Sequence, residues 1–203
     1  MITTRLRRRA AAAVLSLAAV LATTAATAPA ETAPTTAPAK AAPACPQFAD
    51  PVAAAADRRV DVRRITPKPV WRNTCGTLYR SDGRGPDIVF EQGFYPKDVE
   101  GGQYDLEKYV LVNQPSPYVS TSYDHDLYKT WWKSGYNYYI DAPGGVDVNK
   151  TIGDTHKWAD QVEVAFPGGI ARQYIIGVCP VDKKTKVEIM SDCRSNPHYK
   201  PWH

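Results

Sequence analysis

Three short segments of this chain set reactive side chains at the spacing of β-strands. In Gln161-Val-Glu-Val-Ala-Phe166 the period of two puts Gln161, Glu163 and Ala165 on one face and Val162, Val164 and Phe166 on the other. The apolar face is core, and the opposite face carries a carboxylate beside an amide. Tyr118-Val-Ser-Thr-Ser-Tyr123 places Ser120 and Ser122 on one face, with Val119 and Thr121 behind them. Gly76-Thr-Leu-Tyr-Arg-Ser-Asp82 offers Arg80 directly after a β-forming aromatic. A carboxylate can stabilise positive charge or move a proton, and a guanidinium fork suits a phosphate. Taken singly, each segment also reads as a solvated strand edge or a surface ion pair.

The surrounding scaffold combines short helices with many strands. Asp50-Pro51 before Val-Ala-Ala-Ala-Ala predicts an N-cap, a proline at the first helical position and a short helix. Residues 77–80 and 88–91 read as strands around the turn-forming stretch 81–86. A helix is predicted over 105–112, stopped by Pro115 and Pro117, and then a strand over 118–123. Asp124 is placed to cap a helix over 126–133. Residues 136–140 and 146–148 flank Ala-Pro-Gly-Gly as a hairpin or tight corner, and 161–166, 174–178 and 186–190 are further strands. The fold class is α+β, with a mixed, largely antiparallel β-sheet core and helices mainly in the N-terminal half.

In this order, the aromatic-Arg strand (Tyr79-Arg80), the aromatic-x-Ser-Thr-Ser strand (Tyr118 to Ser122) and the Gln-x-Glu strand (Gln161 to Glu163) resemble the three signatures of the Arg-Ser-Glu class of mono-ADP-ribosyltransferases. Leu78-Tyr-Arg-Ser-Asp82, Val89-Phe-Glu-Gln-Gly-Phe94, Asn113-Gln-Pro-Ser-Pro-Tyr-Val-Ser-Thr-Ser122 and Trp158-Ala-Asp-Gln-Val-Glu163 are similar to the pierisin-like, guanine-targeting subgroup and its small secreted members. The resemblance covers residues 44–203 and implies the ADP-ribosyltransferase fold, whose core is two packed sheets.

It also implies NAD as co-substrate, with no metal. Arg80 would hold the pyrophosphate and ribose, Ser120 would orient Glu163, Asp82, Thr121 and Ser122 would support the cofactor pocket, and Asn113 would touch the nicotinamide or its ribose. Glu163 would bind the ribose 2′-hydroxyl and stabilise the oxocarbenium-like charge that forms as nicotinamide leaves. Gln161 would select the acceptor, guanine attacking through its exocyclic N2, since an amide offers one donor side and one acceptor side. Trp131, Lys133 and Trp158 would stack the base or meet a phosphate. The acceptor would be a guanine-containing nucleoside, nucleotide or DNA. The rival readings are a protein-asparagine ADP-ribosyltransferase, a guanyl-specific ribonuclease built on Glu163, an arginine and a histidine, and a binding module without turnover.

Composition and charge bound the setting. Arg5, Arg7, Arg8 and Arg9 precede an apolar, alanine-rich run too short to span a bilayer, so residues 1–30 read as a secretory signal and 31–43, rich in Pro, Ala and Thr, as an extended tether. The catalytic domain is then 44–203, expected as an extracellular monomer with no membrane partner. The chain has 25 Lys and Arg against 21 Asp and Glu, and removing the signal with its four arginines brings the net charge to zero. A duplex-coating protein needs a basic surplus, so nucleic-acid contact here must be local. Four cysteines in an exported chain favour two disulfides, and proximity pairs Cys45 with Cys75 and Cys179 with Cys193. Asp124-His125-Asp126 has ligand-type residues, but adjacent side chains diverge, so no metal site is expected.

Overall fold

The computed structural model describes Cys45 and residues 49–203. The expected signal segment and tether lie outside the described residues. The strands are β1 (Leu78–Asp82), β2 (Tyr118–Ser122), β3 (Tyr136–Ile140), β4 (Val146–Asp147), β5 (Glu163–Pro167), β6 (Ile175–Pro180) and β7 (Arg194–Ser195). The α-helices are α1 (Pro86–Gln92), α2 (Leu106–Val112) and α3 (Val148–Ile152).

All seven strands form one sheet in the order β4-β5-β2-β1-β3-β6-β7, and every neighbouring pair is antiparallel. β1 runs in register along the whole of β3, and β2 along the whole of β5. β1 and β2, by contrast, meet only where Tyr79 faces Ser122. The two expected sheets are thus two halves of one sheet that part at this seam. One core, with Leu78, Phe94, Tyr138, Ile140 and Phe166, fills one side; a second, with Leu106, Val110, Tyr118, Val146 and Ala165, seats α2 and α3 on the other. Each fully buried large apolar side chain contributes roughly 1.5–3 kcal/mol, and the first core, which joins Leu78 of β1 and Tyr138 of β3 to Val119 of β2 and Phe166 of β5, holds the two halves together.

Several local expectations are corrected. Residues 88–91 are not a strand but lie in α1, because Gly85 sits at the N-cap, Pro86 suits the first turn, and Val89 and Phe90 face inward while Ile88 stays exposed. The segment after Pro51 makes turns rather than a helix, since Ala54 and Asp57 pair with the backbone of Ala171 and Gly168. Asp124 does act as a cap, accepting from Asp126 N at 2.8 Å, but the helix over 126–133 is two 3-10 turns, His125–Lys129 and Trp132–Ser134. Of the two readings for residues 136–140 and 146–148, the tight corner holds, turning at Gly144 and Gly145 with positive φ, and the hairpin does not. β3 pairs with β1 and β6, whereas β4 pairs with β5, and a side chain at Gly145, whose φ is +85°, would press within 2.5 Å of Val164. Residues 186–190 make only the Val181–Glu188 bridge, because Asp182 closes a turn on Lys184, Thr185 and Lys186. Both expected disulfides are present, Cys45–Cys75 and Cys179–Cys193.

Candidate active site

The seam between β1 and β2 opens a cleft with Ser120 at its centre. Three adjoining cavities, of about 330, 190 and 190 Å³, all include Ser120 in their walls. The largest is lined by Arg80, Arg84 and Lys97 together with Tyr109, Asn113 and Gln114. A second is lined by Glu163, Gln161, Tyr109, Asn113, Trp131 and Trp158.

Glu163 opens β5 and is only 8 % exposed. Tyr109, from α2, donates to its Oε1 at 3.0 Å. Burial pushes the Glu163 carboxyl up, while hydrogen bonds from Ser120 and Tyr109 and the positive charge of Arg80 oppose that shift. Burial, then the Glu163 charge, push the Tyr109 phenol far up, so it is a fixed donor. Sequence reading missed this tyrosine. The available signal was helical spacing: Tyr109 stands one turn before Asn113, which caps α2 in the left-handed region at φ 53° and lines the two cavities that Tyr109 also lines.

Gln161 does not belong to the strand. It ends a 3-10 turn, Ala159–Gln161, and Val162 adopts φ 40°, an uncommon conformation for a β-branched residue. That reversal still brings Gln161 to the same cavity as Glu163, by a turn rather than by strand alternation. The turn is pinned by Ser122, whose hydroxyl donates to the Gln161 carbonyl at 2.8 Å and accepts from Asp124 N at 2.8 Å.

Arg80 is fixed from two sides. Its Nη1 donates to the Ser120 carbonyl at 2.7 Å across the seam, and its Nε and Nη2 donate to Asp82 Oδ2 at 3.0 and 2.8 Å. Arg84 holds the same carboxylate at 2.9 Å, and both guanidinium groups lie over the Phe94 ring, at 5.1 and 5.2 Å. Burial alone would raise the Asp82 pKa, but Arg84 and Arg80 outweigh it and hold the carboxyl well below the ordinary range. Asp82 is therefore bound to the arginines rather than facing the cavities. Thr121 lines the third cavity but directs its hydroxyl to the Val164 carbonyl at 2.8 Å.

Trp131 and Trp158 are 47 % and 39 % exposed and stand on the wall of the Glu163 cavity. Lys133 lines none of the three cavities; its ammonium lies 5.6 Å from the centre of the Trp132 ring. No group of three or more His, Cys, Asp or Glu able to hold a metal occurs among the described residues.

A family model described as Scabin-like matches residues 78–199. The guanine-specific ADP-ribosyl transferase of Streptomyces coelicolor is 83 % identical over 204 residues, covering 100 % of both chains. Pierisin of Pieris brassicae is 40 % identical over 110 residues, 48 % of this chain and 13 % of that protein. Among solved structures, the Scabin toxin from Streptomyces scabies in complex with NADH superposes with a TM-score of 0.80 at 81 % identity, covering 81 % of this chain and 100 % of that one.

Proposed function

The chain belongs to the Scabin-like family and is an NAD-dependent ADP-ribosyltransferase, and from that premise we propose that it transfers ADP-ribose to the exocyclic N2 of guanine. The observation that carries this reading is one cleft around Ser120: Arg80, Arg84 and Lys97 line one of its cavities, Glu163, Gln161, Trp131 and Trp158 a second, and Arg80, Trp131 and Gln161 meet in a third. Three cations suit a pyrophosphate, and two exposed indoles with an amide suit a purine. The chain's own residues fit NAD without a metal.

In this reading the ionised Glu163 stabilises positive charge at the ribose C1′ as its bond to nicotinamide breaks. The bonding pair leaves with the pyridine nitrogen, so nicotinamide departs neutral. Guanine N2 then forms the new bond to C1′ and gives up a proton to solvent. Tyr109 and Ser120 hold the Glu163 carboxylate in place, Arg80 and Arg84 hold the pyrophosphate, Asn113 meets the nicotinamide side, and Gln161 orients the guanine edge. Asp82 and Ser122 act one step back, as positioning residues for Arg80 and Gln161. Two disulfides support an oxidising compartment. Together with the leader-like residues 1–30 they support secretion of a single catalytic domain over 44–203; that it works as a monomer is part of the same proposal.

The test is incubation of the protein with NAD and, separately, guanosine, GMP, single-stranded DNA, duplex DNA and a protein lysate, with adducts read by mass spectrometry. An ADP-ribose mass on guanine acceptors is the expected result. Adducts on protein alone, or intact NAD in every arm, would overturn the assignment.

A further inference from the structure

The chain returns past the active-site cleft in an exposed loop whose construction the reaction does not explain. Lys183, Lys184 and Lys186 project from the turn that Asp182 closes, and all three are exposed. None of them, and not Lys133, forms an ion pair among the described residues. Lys186 Nζ lies 5.3 Å from the centre of the Trp132 ring and Lys133 Nζ 5.6 Å, so two ammonium groups share one indole. Val181 N donates to the Gly135 carbonyl at 2.9 Å, which ties the loop's root to the turn that carries Trp132. Lys183 Cε comes within 3.8 Å of where a side chain on Gly135 would begin. Trp131, next in sequence to this cluster, lines two of the three cleft cavities.

The loop is also held rigidly. Its legs are joined by Cys179–Cys193. Its one buried acid, Glu188, accepts from Asn137 Nδ2 at 2.9 Å and from the Tyr139 hydroxyl, while His125 Nε2 stands 3.1 Å away. Asn137 and Tyr139 belong to β3, and His125 opens the turn leading to Trp131. Like charges repel, so holding the Lys133 and Lys186 ammonium groups over one indole, with Lys183 and Lys184 exposed on the same loop, costs free energy in the free protein that a bound anion would offset. In a chain whose residues 31–203 sum to zero net charge, this is a local concentration of positive charge on the turns that follow Trp131, a wall of the cleft.

We propose that the 181–188 loop, with Trp132 and Lys133, is a docking surface for the polynucleotide strand flanking the target guanine, its lysines meeting backbone phosphates. The inference rests on the guanine-transferase reading and deepens it: the preferred acceptor is a strand, not a free nucleoside. Exposed ammonium groups on a pinned backbone suit the phosphates of a strand, and the Trp132 ring already gathers two of them.

The test uses the triple variant Lys183→Gln, Lys184→Gln, Lys186→Gln, with its melting temperature measured to verify folding. The acceptors are guanosine and a short single-stranded oligodeoxynucleotide carrying one central guanine. We expect kcat/KM for the oligonucleotide to fall at least about fivefold and its log–log salt slope to become shallower by about 2, the loss of three single-strand phosphate contacts. Values for guanosine should stay within about twofold, since that acceptor lacks the flanking phosphates. Equal losses with both acceptors, or none with either, would overturn the proposal. Fluorescence anisotropy of the labelled oligonucleotide without NAD separates the two readings. Lysine-dependent binding without any transfer in the wild type would remove the transferase assignment and leave the surface; transfer without lysine-dependent binding would do the reverse.

Discussion

Ser122 lies directly opposite Glu163 across β2 and β5, yet its hydroxyl is committed to the Gln161 carbonyl and the Asp124 amide. Ser120, opposite Ala165 and so diagonal to Glu163, is the serine that meets the carboxylate. The two serines divide the labour between the acid and the backbone of Gln161, the residue proposed to orient the acceptor. Ser122→Ala should therefore lower transfer to guanosine by about tenfold, the equivalent of one lost hydrogen bond, while NAD hydrolysis falls less. Parallel assays of adduct and free nicotinamide check this; an equal loss in both would show that Ser122 supports only the fold.

Tyr109→Phe removes one of the donors that keep Glu163 ionised. Burial already raises the carboxyl, so losing the phenol raises it further. The acid limb of the kcat profile should move to higher pH, with activity recovering as the pH is increased. A pH–rate series on wild type and variant decides it. A uniform loss at every pH would mean that the tyrosine acts only through packing.

Glu163→Gln should lower kcat by at least about 10²–10³-fold, as expected when a preorganised charge is removed from a developing cation. The same change should raise the melting temperature at neutral pH. A folded-state pKa raised above the ordinary 4.5 means that ionising Glu163 costs stability, and that cost is present once the pH rises through the folded pKa. The stability gap between variant and wild type should therefore narrow as the pH falls through the raised folded pKa toward the ordinary 4.5 and be closed below it. Calorimetry across that range is the measurement.

Asp82→Asn frees Arg80 and Arg84 from their shared carboxylate. KM for NAD should rise about tenfold while KM for guanosine holds, and the fold should lose about 2 kcal/mol at pH 7. Because the Asp82 pKa is depressed in the folded state, its contribution is present above the ordinary value of 3.8 and is lost as the pH falls through the lower folded value. Denaturant titrations at neutral and acid pH test the sign. An unchanged NAD KM would place Arg80 outside the pyrophosphate site.

The three motifs were legible in the sequence because they are short runs whose chemistry rests on residue type: Arg80 for a planar fork, Ser120 for a hydroxyl, Glu163 for a carboxylate. Cys45–Cys75 and Cys179–Cys193 were legible from proximity. Strand alternation gave the correct partners Glu163 and Ala165 but misassigned Gln161, because a left-handed Val162 breaks the period just before β5. The run Ile88-Val89-Phe90 has the composition of a strand, and only Gly85-Pro86 and the inward packing of Val89 and Phe90 make it a helix.

No local pattern carries the meeting of distant segments. Tyr109 reaches Glu163 across 54 residues of sequence, Arg80 reaches the Ser120 carbonyl across 40, and Glu188 reaches Asn137 across 51. The ordered motifs, through their resemblance to a known family, were enough to indicate which chemistry this protein performs and roughly which strands carry it. Where β1 and β2 part, and which tyrosine holds the acid, emerged only from the folded arrangement. So did the placing of a remote lysine loop beside Trp132, because those relationships are set by how the two cores, one of them spanning both halves of the sheet, bring distant segments together.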